Sequence, residues 1–376
     1  MAGIRDRLGD VPSRTALGLG AAALGVGTAA GAAGVTLLRA GSGLKRSMGA
    51  KAERQFTNTD PDTPHERFGV GKVVRGFVVR SRRGRPHGPI PLAAPLVPVQ
   101  AAELAVTWYG HSSVLIEVDG YRVLADPVWG ERVSPSPTIG PARLHPVPVA
   151  LEAIPPVDAV VISHDHYDHL DLPTVEALTR GQDAPFLVPV GVGEHLRSWG
   201  VPDDRIIERD WDQAHTIGDL KIVCTEARHF SGRGLSRNST QWASWSIVGP
   251  RHRVFFGGDT GYTERFKLIG DHFGPFDLTL VPIGAYDELW PDVHTTPEEA
   301  VAIHRMIAKP DALLVPIHWA TFNLAFHDWA EPVERLLAAT AEAGIETYAP
   351  KPGGRVDVLR HAKGAGHREK WWTTVA

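Results

Sequence analysis

The sequence predicts an α/β fold, of the α+β kind, in which two β-sheets are covered by helices. Beyond Ala101 strand-like runs outnumber helix-like ones, and hairpin pairs such as EVDGYRV (117–123) are mixed with strand–helix units. A single parallel wound sheet would show strict strand–helix alternation, so two layers of sheet are expected instead.

The strands come first in that expectation. Apolar, β-branched runs read as strands at SVLIEV (113–118), YRVLA (121–125), DAVVIS (158–163), FLVPV (186–190), LKIVCTEA (220–227), WASWSIV (242–248), RVFFGG (253–258), DLTLVPI (277–283) and ALLVPI (312–317). Helix signals lie between them. Asp171-Leu172-Pro173 opens one helix, and Thr296-Pro297-Glu298-Glu299 is a capping box with proline in the first turn. A third runs from Glu331-Pro332 to a stop at Gly344.

Residues 101–360 form the main domain in this reading, preceded by an Ala/Gly-rich segment (1–50) and a basic, proline-rich extension (51–100), and followed by a tail (361–376). Residues 16–38 carry no charge, and as a helix they are long enough to cross a hydrocarbon core of about 30 Å. Their basic flank is richer on the C-terminal side, so an anchor there leaves the main domain in the cytoplasm, associated with the membrane. An export signal with small residues around Ala30-Gly31-Ala32 and an unanchored tail are the alternatives. Residues 72–85 hold six basic side chains and no acid, a stretch suited to an anionic membrane surface or to a solvated face. Pro86, Pro89, Pro91, Pro95 and Pro98 then mark an extended connector.

Composition narrows the function. Of the 376 residues 43% are hydrophobic, which excludes a mainly disordered chain, and the net charge of −4 gives no support for nucleic-acid binding through overall basicity. The single cysteine, Cys224, rules out an internal disulfide and any cysteine-rich zinc module. Histidine, present 18 times, is the commonest metal ligand, so its placement carries the argument.

The sharpest motif is Ser163-His164-Asp165-His166-Tyr167-Asp168-His169, directly after an apolar strand. In an extended loop residues i and i+2 point the same way, so His164 and His166 can grip one ion while Asp168 and His169 turn toward a second. Imidazole and carboxylate suit Zn²⁺ and related metals. Further donors are expected just past other strand ends: His229 after LKIVCTEAR, Asp259 in GGDTG, and His318 after ALLVPI. Any one of these alone is better read as a hydrogen-bonded structural residue; together with the loop they make a dinuclear site.

With these residues in view the chain resembles the metallo-β-lactamase fold superfamily of metal-dependent hydrolases, and within it the branch containing N-acyl phosphatidylethanolamine-hydrolysing phospholipase D. The matching stretches, from Trp108 to Ala339, are WYGHSSVLIEVDG, LADPVW, HDHYDHLD, ARHFSGRG, WASWSIVGP, RVFFGGDTGY, FGPFDLTLVPIGAY, TTPEEAVAIH and VPIHWATF. The resemblance implies an αββα sandwich with the metals at one edge. It implies a first zinc held by His164, His166 and His229, a second held by Asp168, His169 and His318, and Asp259 bridging both. Iron or manganese can replace zinc in such sites, and a homodimer is suggested only by the family.

Around these ligands, His111 follows a short strand and matches a family position near the metals, with a structural histidine as the alternative. Asp126 is placed to orient a metal-bound histidine. His294 matches a family residue near the substrate, although Val293 stands where the family carries glutamine. Asp165 and Tyr167 acquire no role. Trp242, Trp245, Trp290 and Trp319 are candidates to line an apolar substrate groove, against the commoner fate of aromatics as core.

The function expected from all this is a dinuclear zinc-dependent phosphodiesterase acting on (N-acyl) phospholipids, with a metal-bridging hydroxide as nucleophile and Asp168, Asp259 and His294 as catalytic groups. The partner is then a phospholipid or other small phosphodiester, with no nucleic acid. Hydrolysis of lactones or other acyl substrates is the alternative reaction, and a non-catalytic, membrane-tethered metal-binding protein is the alternative class. No G-x-S-x-G motif and no glycine-rich cofactor fingerprint is present.

Overall fold

A computed structural model describes residues 48, 54–61, 83–94, 98–234, 236–361 and 369–376. Strands β1 (Leu104–Gly110), β2 (Ser113–Val118) and β3 (Tyr121–Ala125) form an antiparallel meander. The β2–β3 turn is Asp119-Gly120, both at positive φ (48° and 89°), the two-residue geometry that matches the twist of a hairpin. β4 (Ala159–Val161), β5 (Phe186–Pro189) and β6 (Ile206–Arg209) then add in parallel, through helices α1 (Leu172–Gly181) and α2 (Gly193–Ser198).

The second sheet takes β7 (Ala214–Ile217), β8 (Leu220–Thr225), β9 (Ser244–Val248), β10 (Arg253–Phe256), β11 (Phe276–Pro282) and β12 (Ala308–Ile317). Helix α3 (Phe266–Phe273) joins β10 to β11 and α4 (Pro297–Ile307) joins β11 to β12, with both strand pairs parallel. Helix α5 (Glu331–Ala343) packs on α4, and β13 (Arg355–Asp357) returns to pair with β1. The sheets are seven- and six-stranded, ordered β13-β1-β2-β3-β4-β5-β6 and β12-β11-β10-β9-β8-β7.

Period-two patterning decides the layering. Along β2, Val114, Ile116 and Val118 enter the larger core with Trp245, Ile247 and Leu278 of the second sheet, whereas Leu115 enters a smaller core with Val175 and Leu178 of α1 and Leu196 of α2. The same split recurs at Val161 against Val160 and at Leu187 against Phe186. Each fully buried aliphatic side chain contributes roughly 1.5–3 kcal/mol. The expected two-sheet sandwich is therefore the observed one.

The three expected helices start and stop as their capping residues dictate. The Asp171 carboxylate accepts from the Thr174 amide, Thr296 and Glu299 cap one another reciprocally, and Gly344 ends α5 in the left-handed region (φ 67°). Five short elements, β6, β7, β13, α2 and α3, were not expected. The four-residue β6 and β7 are mostly half-exposed, so the apolar run that announces a strand is missing from them.

Both ends of the described chain make contacts with the main domain. Within 369–376, Trp371 and Trp372 are buried in the larger core. The proline-rich stretch is tied to the domain by its backbone: the His87 amide donates to the Val375 carbonyl at 2.7 Å and the Ala93 amide to the Pro352 carbonyl at 2.9 Å. The 16–38 run and most of 72–85 lie outside the described residues, and among the described ones no helix is long and apolar enough to cross a membrane.

Candidate metal centre

The motif loop leaves β4 and is fixed at its first residue. Asp126, just past β3, accepts from the Ser163 amide (2.7 Å) and the Ser163 hydroxyl (2.6 Å). Its second oxygen also lies 2.6 Å from His169 Nδ1. The loop then coils back, with the amides of His169 and Leu170 both donating to the His166 carbonyl. This reversal brings Asp168 and His169 to the same place as His164 and His166.

The β10 strand contributes Asp259 through Gly257-Gly258. At Gly258 (φ 57°) a Cβ would lie 2.5 Å from Ser163 Cβ, so only glycine lets the two loops approach this closely. His318 follows β12 at once, itself at φ 60°, and its amide donates to the His111 carbonyl at 2.9 Å. His111, Asp126, Ala285, His318 and Ala320 all hold positive φ, a concentration of backbone strain typical of functional sites.

Four separate loops, the fourth carrying His229 after β8, thus meet in two groups of donor atoms. In the first, His164 Nε2 lies 2.7 Å from His166 Nδ1, and His229 Nε2 lies 3.3 Å from that same Nδ1. In the second, Asp168 Oδ2 lies 3.5 Å from His169 Nε2 and 3.5 Å from His318 Nε2. Asp259 Oδ2 stands between the groups, 3.0 Å from His318, 3.1 Å from His169, 3.7 Å from His229 and 3.9 Å from His164. All seven expected metal-ligating residues therefore converge, and all are buried.

Outer contacts set which nitrogen faces inward. His229 Nδ1 donates to the Val293 carbonyl at 2.7 Å, His169 Nδ1 to Asp126, and His164 Nδ1 lies 2.9 Å from the Ser163 oxygen, whose own proton goes to Asp126. Each contact leaves Nε2 with a lone pair turned into the site. Val293 serves through its backbone, so the replacement of the family's glutamine leaves this contact intact.

The donors fit cations, as their unmet valences show. His169 Nε2, His318 Nε2 and Asp259 Oδ1 are buried without a hydrogen-bond partner, a costly state unless an ion is bound. Burial drives His164 and His229 well below the usual histidine range, keeping them neutral. For Asp259 burial acts upward, but the His169 and His318 imidazoles outweigh it and hold the carboxyl well below its ordinary range. Asp168 follows the same balance, with His169 as its main partner. At His169 burial acts downward and is overridden by Asp259, Asp168 and Asp126, so the pocket draws positive charge. Neutral imidazoles with ionised carboxylates are the ligand forms that divalent metals require.

The neighbours resolve as follows. His111 Nε2 lies 2.9 Å from Asp168 Oδ2, while its amide donates to the Thr321 hydroxyl at 2.6 Å. His294 Nδ1 stands 3.9 Å from Asp259 Oδ2 without a hydrogen-bond partner, and burial pushes its pKa down to about 3. Asp165 acquires contacts that its motif position did not reveal: its carboxylate accepts from the Gly232 amide (2.7 Å) and lies 3.2 Å from His195 Nε2. Arg233 donates to the carbonyls of Asp165 and Leu170, both at 2.7 Å, and stacks on the Tyr167 ring, bracing the motif loop from behind.

Of the four tryptophans, Trp242 and Trp245 are core, not groove: both are buried, with indole donors on Ala227 and Ile162 carbonyls. Trp319 is buried too, stacked on Trp108 at 5.6 Å, though it also lines a small cavity with His111 and His318. Trp290 packs on Phe326 in an apolar cluster that includes Val128, Phe322 and Leu324, with Tyr167 of the motif loop against it. Sequence reasoning missed the role of Ser163, which rests on the distant Asp126 carboxylate, and missed Arg233 and Asn58, whose roles rest on contacts to backbone atoms far along the chain and leave no local motif.

Comparison with known proteins adds an independent line. A family model described as a β-lactamase superfamily domain matches residues 121–319. The chain is 53% identical over 354 residues to an uncharacterized protein of Mycobacterium tuberculosis, covering 89% of this chain and 94% of that protein. It is 36% identical over 246 residues to an N-acyl-phosphatidylethanolamine-hydrolyzing phospholipase D of Caenorhabditis elegans, covering 62% of this chain and 68% of the relative. Among solved structures, a metallo hydrolase from Ignicoccus hospitalis matches with a TM-score of 0.52 at 23% identity, over 67% of this chain and 97% of that one, a likeness of fold alone.

Proposed function

Because the chain belongs to the metallo-β-lactamase superfamily of metal-dependent hydrolases, we propose that it is a dinuclear phosphodiesterase that cleaves phospholipids in the manner of phospholipase D. The observation that carries this reading is Asp259, whose one oxygen lies within 3.9 Å of donors from both groups. In it His164, His166 and His229 would hold one ion and Asp168, His169 and His318 the other, with Asp259 facing both groups. Zinc suits this nitrogen-rich set, with iron or manganese as substitutes. When bound, such cations would supply Lewis acidity, lowering the pKa of a water toward neutrality and offsetting negative charge on the substrate.

The chain's own residues do the rest. Asp168 and Asp259, ionised, orient the nucleophile and accept its proton, and the ring of His111 keeps Asp168 in place. His294, neutral and unpartnered at Nδ1, is free to donate to or accept from the substrate. The phospholipid reading is supported by the likeness to the nematode phospholipase D and by the apolar cluster around Trp290 beside the motif loop. Attachment to a membrane through residues 16–38 belongs to the same reading, and cell fractionation with and without residues 1–40 tests it.

The deciding assay offers purified full-length protein an N-acyl phosphatidylethanolamine, bis-p-nitrophenyl phosphate and a lactone panel, each with and without added zinc. Zinc-dependent release of a phosphatidic acid supports the proposal. Turnover of lactones alone would transfer the site to acyl chemistry.

A further inference from the structure

The segment 54–61 runs across the loop that carries His229, bending at Thr59 and Asp60, and its burial alternates. Phe56, Asn58 and Asp60 are half-buried, while Gln55, Thr57 and Thr59 are exposed. Each inward residue makes a contact. The Phe56 amide donates to the Asn238 carbonyl at 2.8 Å, and the Asp60 carboxylate accepts from the Thr263 hydroxyl. The Arg228 guanidinium donates to the Pro61 carbonyl at 2.7 Å.

Asn58 sits at the centre of this docking. Its amide nitrogen donates to the His229 carbonyl at 2.9 Å, and its oxygen accepts from the His229 amide at 3.1 Å and from the Trp242 indole at 3.0 Å. One side chain thereby satisfies both backbone polar groups of His229, as a neighbouring strand would. The imidazole is held separately by the Val293 carbonyl, so ring orientation and backbone position are set from opposite sides.

We infer that Asn58 is a positioning residue of the metal centre, fixing the backbone of His229 from the N-terminal extension. The inference rests on the dinuclear reading above and adds that the extension completes the first of the two donor groups. A ligand backbone free to drift takes its Nε2 away from His164 and His166, and outer contacts of this kind commonly govern metal affinity by about 10–100-fold.

Titration of the metal-free full chain with cobalt(II) alone, followed by its visible d–d absorption, reads each equivalent separately. The wild type is expected to take up two equivalents. In Asn58→Ala one of them should bind at least about tenfold more weakly, with a changed spectrum, while the other is unaltered. Asn58→Asp keeps the acceptor and loses the donor, so it should fall between the two and serves if the alanine variant does not fold. Thr57→Ala, altered on the outward face, should match the wild type. Unchanged uptake of both equivalents in the Asn58 variants would overturn the inference, as would equal weakening of both with a lowered melting temperature of the metal-free protein. A wild type that takes up fewer than two equivalents would instead overturn the dinuclear reading beneath it.

Discussion

Asp126 accepts the Nδ1–H of His169 at 2.6 Å, and this one contact decides that Nε2 of that imidazole faces Asp259. Since the same carboxylate takes both the amide and the hydroxyl of Ser163, it couples the start of the motif loop to its end. Asp126→Ala should therefore lower metal affinity and turnover together, by about 10–100-fold. Metal analysis after dialysis, alongside phosphodiester hydrolysis, checks this; full metal content with normal turnover would contradict it.

Asp259→Asn tests the sharing of one carboxylate. The amide keeps the shape and loses the charge that two donor groups face, so both equivalents should weaken and turnover should fall by at least about a hundredfold. Unchanged turnover would eliminate the mechanism.

Trp290→Ala probes the apolar cluster beside the site. Its expected effect is on substrate choice, with KM for a long-chain substrate rising more than for bis-p-nitrophenyl phosphate and metal content unaltered. Equal losses on both substrates would place the residue in support of the fold instead.

At Gly258 the left-handed backbone and the 2.5 Å approach of Ser163 Cβ leave no room for a side chain. Gly258→Ala should cost roughly 1–3 kcal/mol, measured by denaturant unfolding of the metal-free chain. A neutral result would mean that the loops can part without penalty.

Trp372 is fully buried, edge-on to Trp319, and its indole donates to Glu334 of α5. Trp372→Ala is expected to cost about 3–5 kcal/mol, the loss typical of a large core aromatic. A thermal melt identical to the wild type would return residues 369–376 to the status of a tail.

What could be read from the sequence alone was whatever depends on local periodicity and local chemistry. The alternation in SVLIEV, the capping box at Thr296 and the spacing of His164, His166, Asp168 and His169 each act over a few residues, so their outcomes follow from neighbours in the chain. His229, Asp259 and His318 were legible because loops after strand ends gather at one edge of a sheet. Tertiary structure alone decided which backbone and side-chain groups meet across long separations: Asn58 on His229, Arg233 on the carbonyls of Asp165 and Leu170, and Trp371 and Trp372 in the core. Such hydrogen bonds and packing contacts are satisfied by whichever group the fold brings near, and no periodicity in the chain announces them.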